Sequence, residues 1–397
     1  MKRLLALLLL AGLLLCSTGC LSAQSLERYG YVLAIGFDRG EQLPYSVTLL
    51  IQKTQTDSES QNNSGFLLVK AECNNLLEGI ATLSAGLPLQ VNLSRTAMIV
   101  VEIGLLMEQG QTQAIFDLPF SRLYIRYNTA LFASISPAYD MLEGLSNELD
   151  PNPSRINMNI GSYSQKTGLI PLAHLSLLVE ALDGQTYDLA LPLCGITSEE
   201  GGKLATRDSV GTYEYAYIGG SLALESEMKT SLAGAALLRD GLMVGFLDGQ
   251  NVQLLLMATG DFQEGRRLMQ APDGKQITVY LSADQRPKTN FSLVNGQARA
   301  HMTIPISVYV ETAKKIESSD QEVAAAIERA LTRDMAALFD CCRKLGSDVM
   351  GFGKHAVSQF QTVRAWEEFN WRNAYMQMDA QFLFEVKLLH RIDAGLE

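Results

Sequence analysis

The sequence is poor in the residues on which most catalytic and metal chemistry depends. Histidine occurs four times in 397 residues, at His174, His301, His355 and His390. None belongs to a His-Glu-x-x-His pair, whose one-turn spacing aims two imidazoles at one zinc ion, and none lies near a Gly-x-Ser-x-Gly elbow. His174 falls in an apolar helical stretch and His301 near the start of a strand, so packing explains both. Cysteine is also scarce, with six residues, no Cys-x-x-Cys and no histidine beside a pair, which excludes a zinc ribbon or a dense disulfide framework. Cys73, Cys194, Cys341 and Cys342 read as free, mostly buried thiols, with a Cys73–Cys194 bridge left open. Cys341 and Cys342 are neighbours on a helical pattern, so only one of them can face a core.

Positive charge is in deficit, 32 basic against 43 acidic residues for a net charge of −11. Such a chain gains nothing overall from phosphate backbones or anionic headgroups, which argues against nucleic acid as a partner. After residue 20 no run of about 18 apolar residues occurs, so no later segment reads as a membrane-spanning helix. No internal repeat or coiled-coil heptad is present. Nothing in the residues calls for a cofactor.

What is present begins with Lys2-Arg3, an apolar run from Leu4 to Leu15, and Cys16-Ser17-Thr18-Gly19-Cys20. About a dozen apolar residues are too few for a stable span of ~30 Å of hydrocarbon, and they suit a cleaved secretory signal, residues 1–19. Small residues before a cysteine match a bacterial lipoprotein signal, in which the Cys20 thiol takes a diacylglyceryl group and becomes the mature N-terminus. Acyl chains such as palmitate, at about 0.8 kcal/mol per buried CH₂, would hold the chain to a membrane.

The remainder, 47% hydrophobic in the whole sequence, can bury substantial cores. Tyr31–Phe37 is continuously apolar, and Asp38-Arg39-Gly40-Glu41 turns it into an alternating strand, Tyr45–Ile51. Phe66–Cys73, Arg95–Glu102 and Asn128–Ser134 read as further strands. Leu76–Leu83, Leu105–Phe116, Ala138–Leu145 and Leu169–Leu182 read as helices, and Asn147–Lys166 as a loop. A polar Thr197–Arg207 stretch marks the expected boundary between an N-terminal region, 20–207, long enough for two subdomains, and a C-terminal domain, 208–397. In the latter, strands are expected at Tyr213–Leu224, Gly234–Leu238, Leu242–Leu247, Ile277–Leu281, Phe291–Val294 and Ala298–Val310. Asp240-Gly241 and Asn295-Gly296 supply hairpin turns. Ser319-Asp320-Gln321-Glu322 is a capping box, and Val323, Ile327, Leu331, Met335, Leu338, Cys342 and Leu345 then recur on one helical face. Phe382, Phe384, Val386 and Leu388 alternate as a closing strand. Strands and helices without a regular βαβ rhythm make the fold class α+β, multi-domain, with mixed sheets and helices.

Three segments invite a chemical reading and receive a plainer one. Gly351-Phe352-Gly353-Lys354-His355 looks like a phosphate loop, but it follows a helix and lacks the full Gly-x-Gly-x-x-Gly, so a turn with Phe352 plugging the core explains it better. Ser226-Glu227-Met228-Lys229 has Ser-x-x-Lys spacing without the companion motifs. Trp366, Phe369, Trp371 and Tyr375 read as packing beneath the closing strand, with a partner surface as the alternative.

Several of these blocks, in this order, resemble the Ger(x)C family, the lipoprotein C subunits of bacterial spore germinant receptors. The resemblance rests on Tyr31-Val32-Leu33-Ala34-Ile35-Gly36-Phe37-Asp38 at the family's distance from Cys20, followed by the strand Tyr45–Ile51. It rests also on Gly234–Gly245 as the hairpin opening the C-terminal domain. Gly346-Ser347-Asp348-Val349-Met350-Gly351-Phe352-Gly353, then Trp366 and Trp371, and an alternating strand ending His390-Arg391, match the closing block. Leu21-Ser22 replaces the usual Trp-Asp after the cysteine, Ser17 the usual leucine, and no proline precedes Trp366, so the match is to a divergent member. The resemblance implies a non-catalytic, extracytoplasmic subunit held by the lipid on Cys20 to the cell or inner spore membrane. It also implies assembly with two integral membrane subunits in nutrient-triggered germination. The alternative class, a lipid-anchored solute-binding protein of a transporter, requires two α/β lobes around a cleft.

Overall fold

A computed structural model describes residues 29–53, 65–116, 123–146, 152–197, 217–222, 230–312 and 315–393. Cys20, the leader, the 207/208 boundary and Ser226–Lys229 therefore lie outside the described residues.

Among the described residues a nine-stranded sheet forms the first layer. Its strands are β1 (Tyr29–Arg39), β2 (Tyr45–Gln52), β3 (Phe66–Cys73), β4 (Gln90–Asn92), β5 (Met98–Glu102), β6 (Ala130–Ser134), β7 (Ala190–Ile196), β8 (Thr230–Arg239) and β9 (Leu242–Leu247). The order is β3-β2-β1-β5-β6-β7-β8-β9, with β4 beside the start of β1. The middle, β1 with β5, β6 and β7, is parallel, and antiparallel pairs close both sides. Parallel strands covered on both faces need continuous apolar sequence, which is why Tyr31–Phe37 and Met98–Val101 show no alternation.

Helices α1 (Leu76–Gly86), α2 (Ile103–Leu106) and α3 (Gln111–Phe116) cover one face; α4 (Ala138–Leu145) and α5 (Pro153–Thr167) cover the other; α6 (Leu175–Gly184) returns to the first. The stretch expected as a loop is thus mostly the helix α5. Its proline stands at the first helical position, where no N–H is needed, and Ile156, Ile160 and Ser164 recur every four residues toward the core. The Leu105–Phe116 helix is two short ones, broken around Gly110 at φ 80°. The Leu169–Leu182 helix starts only at Leu175: Ala173 and His174 instead lie along β6, where Leu131 N–H donates to the Ala173 carbonyl and His174 bridges Ala130. Residues 217–222, expected within a strand, contain no strand.

The second layer is five-stranded: β10 (Glu264–Gln270), β11 (Gln276–Ser282), β12 (Lys288–Val294), β13 (Gln297–Thr312) and β14 (Asp379–Asp393). β14 runs parallel to β13. On its apolar face lie α7 (Gly249–Thr259) and the 26-residue α8 (Asp320–Leu345), followed by α9 (Phe352–Val357), α10 (Val363–Phe369) and α11 (Trp371–Met376). The capping box on α8 is formed: Glu322 N–H donates to Ser319 Oγ, and Ser319 N–H to Glu322 Oε2. Val323, Ile327, Leu331, Met335, Leu338 and Cys342 are buried as the spacing required. Both two-residue hairpin turns have two successive positive φ values, Asp240 and Gly241 at 50° and 81°, Asn295 and Gly296 at 52° and 78°.

The hairpin β8–β9 joins the two layers. Ala236, Leu238, Met243 and Phe246 enter the core of the first sheet, while Ala235, Leu237 and Leu247 enter that of the second. No pair of α/β lobes about a cleft is present among the described residues, and none of their helices is long and apolar enough to cross a membrane.

Candidate functional site

The Gly346–Gly353 segment follows α8, which ends on Gly346 in the left-handed region at φ 65°. The chain then turns inward, burying Ser347, Asp348 and Phe352 almost completely. Asp348, 2% exposed, accepts three hydrogen bonds: from Phe352 N–H at 2.9 Å, Gly353 N–H at 2.7 Å and Trp371 Nε1–H at 3.0 Å. The glycine-rich stretch is therefore a turn folded around a carboxylate, with Phe352 in the core and its amide donors already used. Gly353 has a steric reason to be glycine, because a Cβ there would sit 2.2 Å from the Thr186 carbonyl oxygen and 2.6 Å from Trp371 Nε1.

A second carboxylate ties this turn to the first layer. Asp188, in the loop before β7, accepts from Asp348 N–H at 2.8 Å, from Asp240 N–H at 3.0 Å and from Arg372 at 3.0 Å. Arg372 also pairs with Asp240 and donates to the Gly346 carbonyl. Ser347 Oγ donates to the Leu238 carbonyl, Arg239 to the Leu345 carbonyl, and Tyr375 to the Ser347 carbonyl. Lys354 lies over the Tyr187 ring at 3.5 Å. Asp188 is both paired with Arg372 and hydrogen-bonded, as a buried charge must be, whereas Asp348 is held by three neutral donors. Burial pushes the Asp348 carboxyl up to about 7, against the lowering effect of its three donors. The sequence marks Asp240 only as a turn residue and Asp348 only as a member of the closing block, and it does not mark Asp188 or Arg372: up to 184 positions separate the partners, and no local period joins them.

The aromatic residues pack in the core, Trp371 edge-on to Phe291 of β12 and Tyr375 edge-on to Phe339 of α8. Trp366, Trp371 and Tyr375 are buried, with Phe360, Phe369 and Trp371 in tilted or edge contacts around Trp366. Two open grooves flank the layers, one of about 580 Å³ between the Asp183–Thr186 loop and α10, the other of about 490 Å³ on the outer face of the second sheet. The second holds Lys166, Arg266, Tyr280, Glu311 and His390 around a Tyr280–Glu311 hydrogen bond of 2.8 Å.

The described histidines are dispersed. His174 precedes α6 rather than lying within it, half-buried, its pKa lowered by desolvation; His301, His355 and His390 are exposed on different elements. No group of three or more His, Cys, Asp or Glu is placed to hold a metal among the described residues. Cys73, Cys194, Cys341 and Cys342 are free, so the Cys73–Cys194 bridge is absent. Cys342 faces the core and Cys341 does not. Burial raises all four thiol pKa values, Cys194 to about 12, which disfavours the nucleophilic thiolate.

Comparison with known proteins identifies this arrangement. Residues 22–196 match the spore germination protein N-terminal domain, and residues 233–391 match the family described as spore germination B3/GerAC like, C-terminal. The chain belongs to the Ger(x)C family of spore-germination proteins. Its fold is similar to the crystal structure of the GerBC protein, with a TM-score of 0.52 at 16% identity, covering 92% of this chain and 100% of that one. No curated protein matches the sequence. The Ger(x)C N-terminal region thus closes at the end of β7, and the C-terminal region opens inside β8. The hairpin β8–β9 belongs to the C-terminal region by sequence and to the first sheet by hydrogen bonding. The Asp188–Asp348–Arg372 knot locks that crossing.

Proposed function

We propose that the chain is the lipid-anchored, non-catalytic C subunit of a nutrient germinant receptor, held by diacylglyceryl on Cys20 to the extracytoplasmic face of the cell or inner spore membrane and working by assembly with two integral membrane subunits. The observation that carries this reading is the pair of germination-family matches, which together span residues 22–196 and 233–391 of one chain. The lipoprotein motif ending at Cys20, separated from β1 by eight residues, supports the anchor. Polar groups at the junction are spent on joining the two layers, so the knot is a structural device that fixes the relative placement of two surfaces. The division into a 20–207 region and a 208–397 domain is part of the same reading, with the β8–β9 hairpin shared between them.

The decisive experiment replaces Cys20 with alanine in the spore-forming host. Nutrient-triggered germination is expected to fall to the level of a deletion, and the protein to be lost from purified membranes. Wild-type germination at normal protein level would refute the anchored-subunit reading.

A further inference from the structure

Net charge, read from the sequence, argues against attraction to anionic headgroups, yet the fold separates the charges by position. Because β1, β5 and β6 are parallel and in register, their N-terminal ends lie at one end of the first sheet. Hydrogen bonds from Thr129 Oγ1 to the Thr96 carbonyl, 3.0 Å, and from Ala130 N–H to the Ala97 carbonyl, 2.9 Å, join the segments leading into β5 and β6. At this end the described residues 29–31, 52–53, 87–97, 123–129 and 170–176 include Lys53, Arg95 and Arg126 and no aspartate or glutamate. The opposite end gathers Asp38, Glu41, Glu72, Glu102 and Glu108, with Arg39 paired to Glu108. Among the described residues, then, a chain of net charge −11 carries a basic end without a carboxylate.

That end also exposes amphipathic side chains. Tyr124 is 77% exposed and Tyr127 55%. Arg95 lies over the Tyr31 ring at 4.2 Å, and Tyr31 is itself 6.1 Å from the Tyr29 ring. Tyrosine and arginine are the side chains that sit well at a headgroup boundary, with an apolar body and a polar tip. The chain enters β1 at this same end, and only eight residues separate Cys20 from Tyr29. Fully extended, they reach about 30 Å.

We propose that this end of the first sheet seats on the bilayer, Arg95 and Arg126 against anionic headgroup phosphates and Tyr124 and Tyr127 in the interfacial layer, leaving the acidic end pointing away from the membrane. The proposal rests on the anchored reading above. It adds an orientation: a tether alone leaves the domain free to tumble, whereas a seated domain presents one fixed side to its partners.

The test uses the full chain acylated at Cys20, in phosphatidylcholine vesicles with and without phosphatidylglycerol, carrying a headgroup-region fluorescence quencher. Tyr124→Trp and, at the opposite end, Glu41→Trp provide the reporters. Quenching at position 124 well above that at position 41, stronger with phosphatidylglycerol, is the expected result. Adding Arg95→Gln and Arg126→Gln to Tyr124→Trp should lower the docked-to-free ratio roughly thirty-fold, about 2 kcal/mol, while vesicle flotation is unchanged. Flotation with equal quenching at both positions overturns the proposal and leaves this face to a protein partner or a second copy. Failure to float overturns the anchor at Cys20, and the seated face with it.

Discussion

Replacing Asp348 with alanine removes the acceptor of three buried donors: the Phe352 and Gly353 amides and Trp371 Nε1–H. Each buried donor left unpaired costs about 1–3 kcal/mol, so the loss is on the order of several kcal/mol before relaxation. The pH dependence is more discriminating than the size. Burial raises the folded-state pKa of Asp348 from 3.8 to about 7. Between those values the folded protein holds a proton that the unfolded chain has released. The associated stability is fully present below pH 3.8 and is lost as pH rises through about 7. Linkage puts the loss between pH 5 and pH 8 on the order of 2–3 kcal/mol. The cost of Asp348→Ala should therefore be greater at pH 5 than at pH 8 by that amount. Taking the difference between variant and wild type cancels carboxylates remote from the site, such as Asp38 and Asp248, whose pKa values are also raised by burial. Urea unfolding followed by tryptophan fluorescence suits the purpose, since both tryptophans of the chain, Trp366 and Trp371, lie in the affected block. Asp348→Asn, which keeps one acceptor, serves if the alanine variant fails to fold. Equal destabilisation at both pH values would refute the assignment of a raised pKa to this carboxyl.

Further outcomes follow from single contacts. Gly353→Ala forces a Cβ to 2.2 Å from the Thr186 carbonyl oxygen, so stability should fall by about 3 kcal/mol, and an unchanged urea midpoint would show that the turn yields freely. Ser319→Ala removes the side-chain acceptor for Glu322 N–H at the start of α8, for an expected cost of about 1 kcal/mol by thermal unfolding. With four free thiols in the described residues, a thiol reagent at pH 8 should modify half-exposed Cys341 first; buried Cys73, Cys194 and Cys342 should react only on unfolding, and any that resist then would indicate a disulfide.

Features carried by local order were legible beforehand. The α8 capping box and its apolar stripe, the Asp240-Gly241 and Asn295-Gly296 turns, and the alternation of β14 each lie within a few residues of their cause. Helix α7 gives no periodic signal because it is buried on every side, from Gly249 to Ala258, and so has no polar face to set a period. Helix α5 was hidden by its polar composition and its proline, both compatible with a helix that packs on one narrow stripe. At the junction, Phe352 and the tryptophans were recognisable as core, but the acids that organise them were not.

By itself the sequence determined the α+β class, the ordered blocks of a germination-family protein and the core packing of the closing aromatics, and it supplied the motif at Cys20 on which the proposed anchor rests. Each depends on residue type, spacing or period, which short-range physics reads directly. Only the tertiary structure decided that β8–β9 completes the first sheet, that Asp188 meets Asp348 and Arg372, and that the described residues of an acidic chain gather Arg95, Arg126 and two exposed tyrosines at the end where β1 begins. Those outcomes depend on which strands become neighbours and in which direction they run, and strand order and direction are settled by long-range packing that no local pattern encodes.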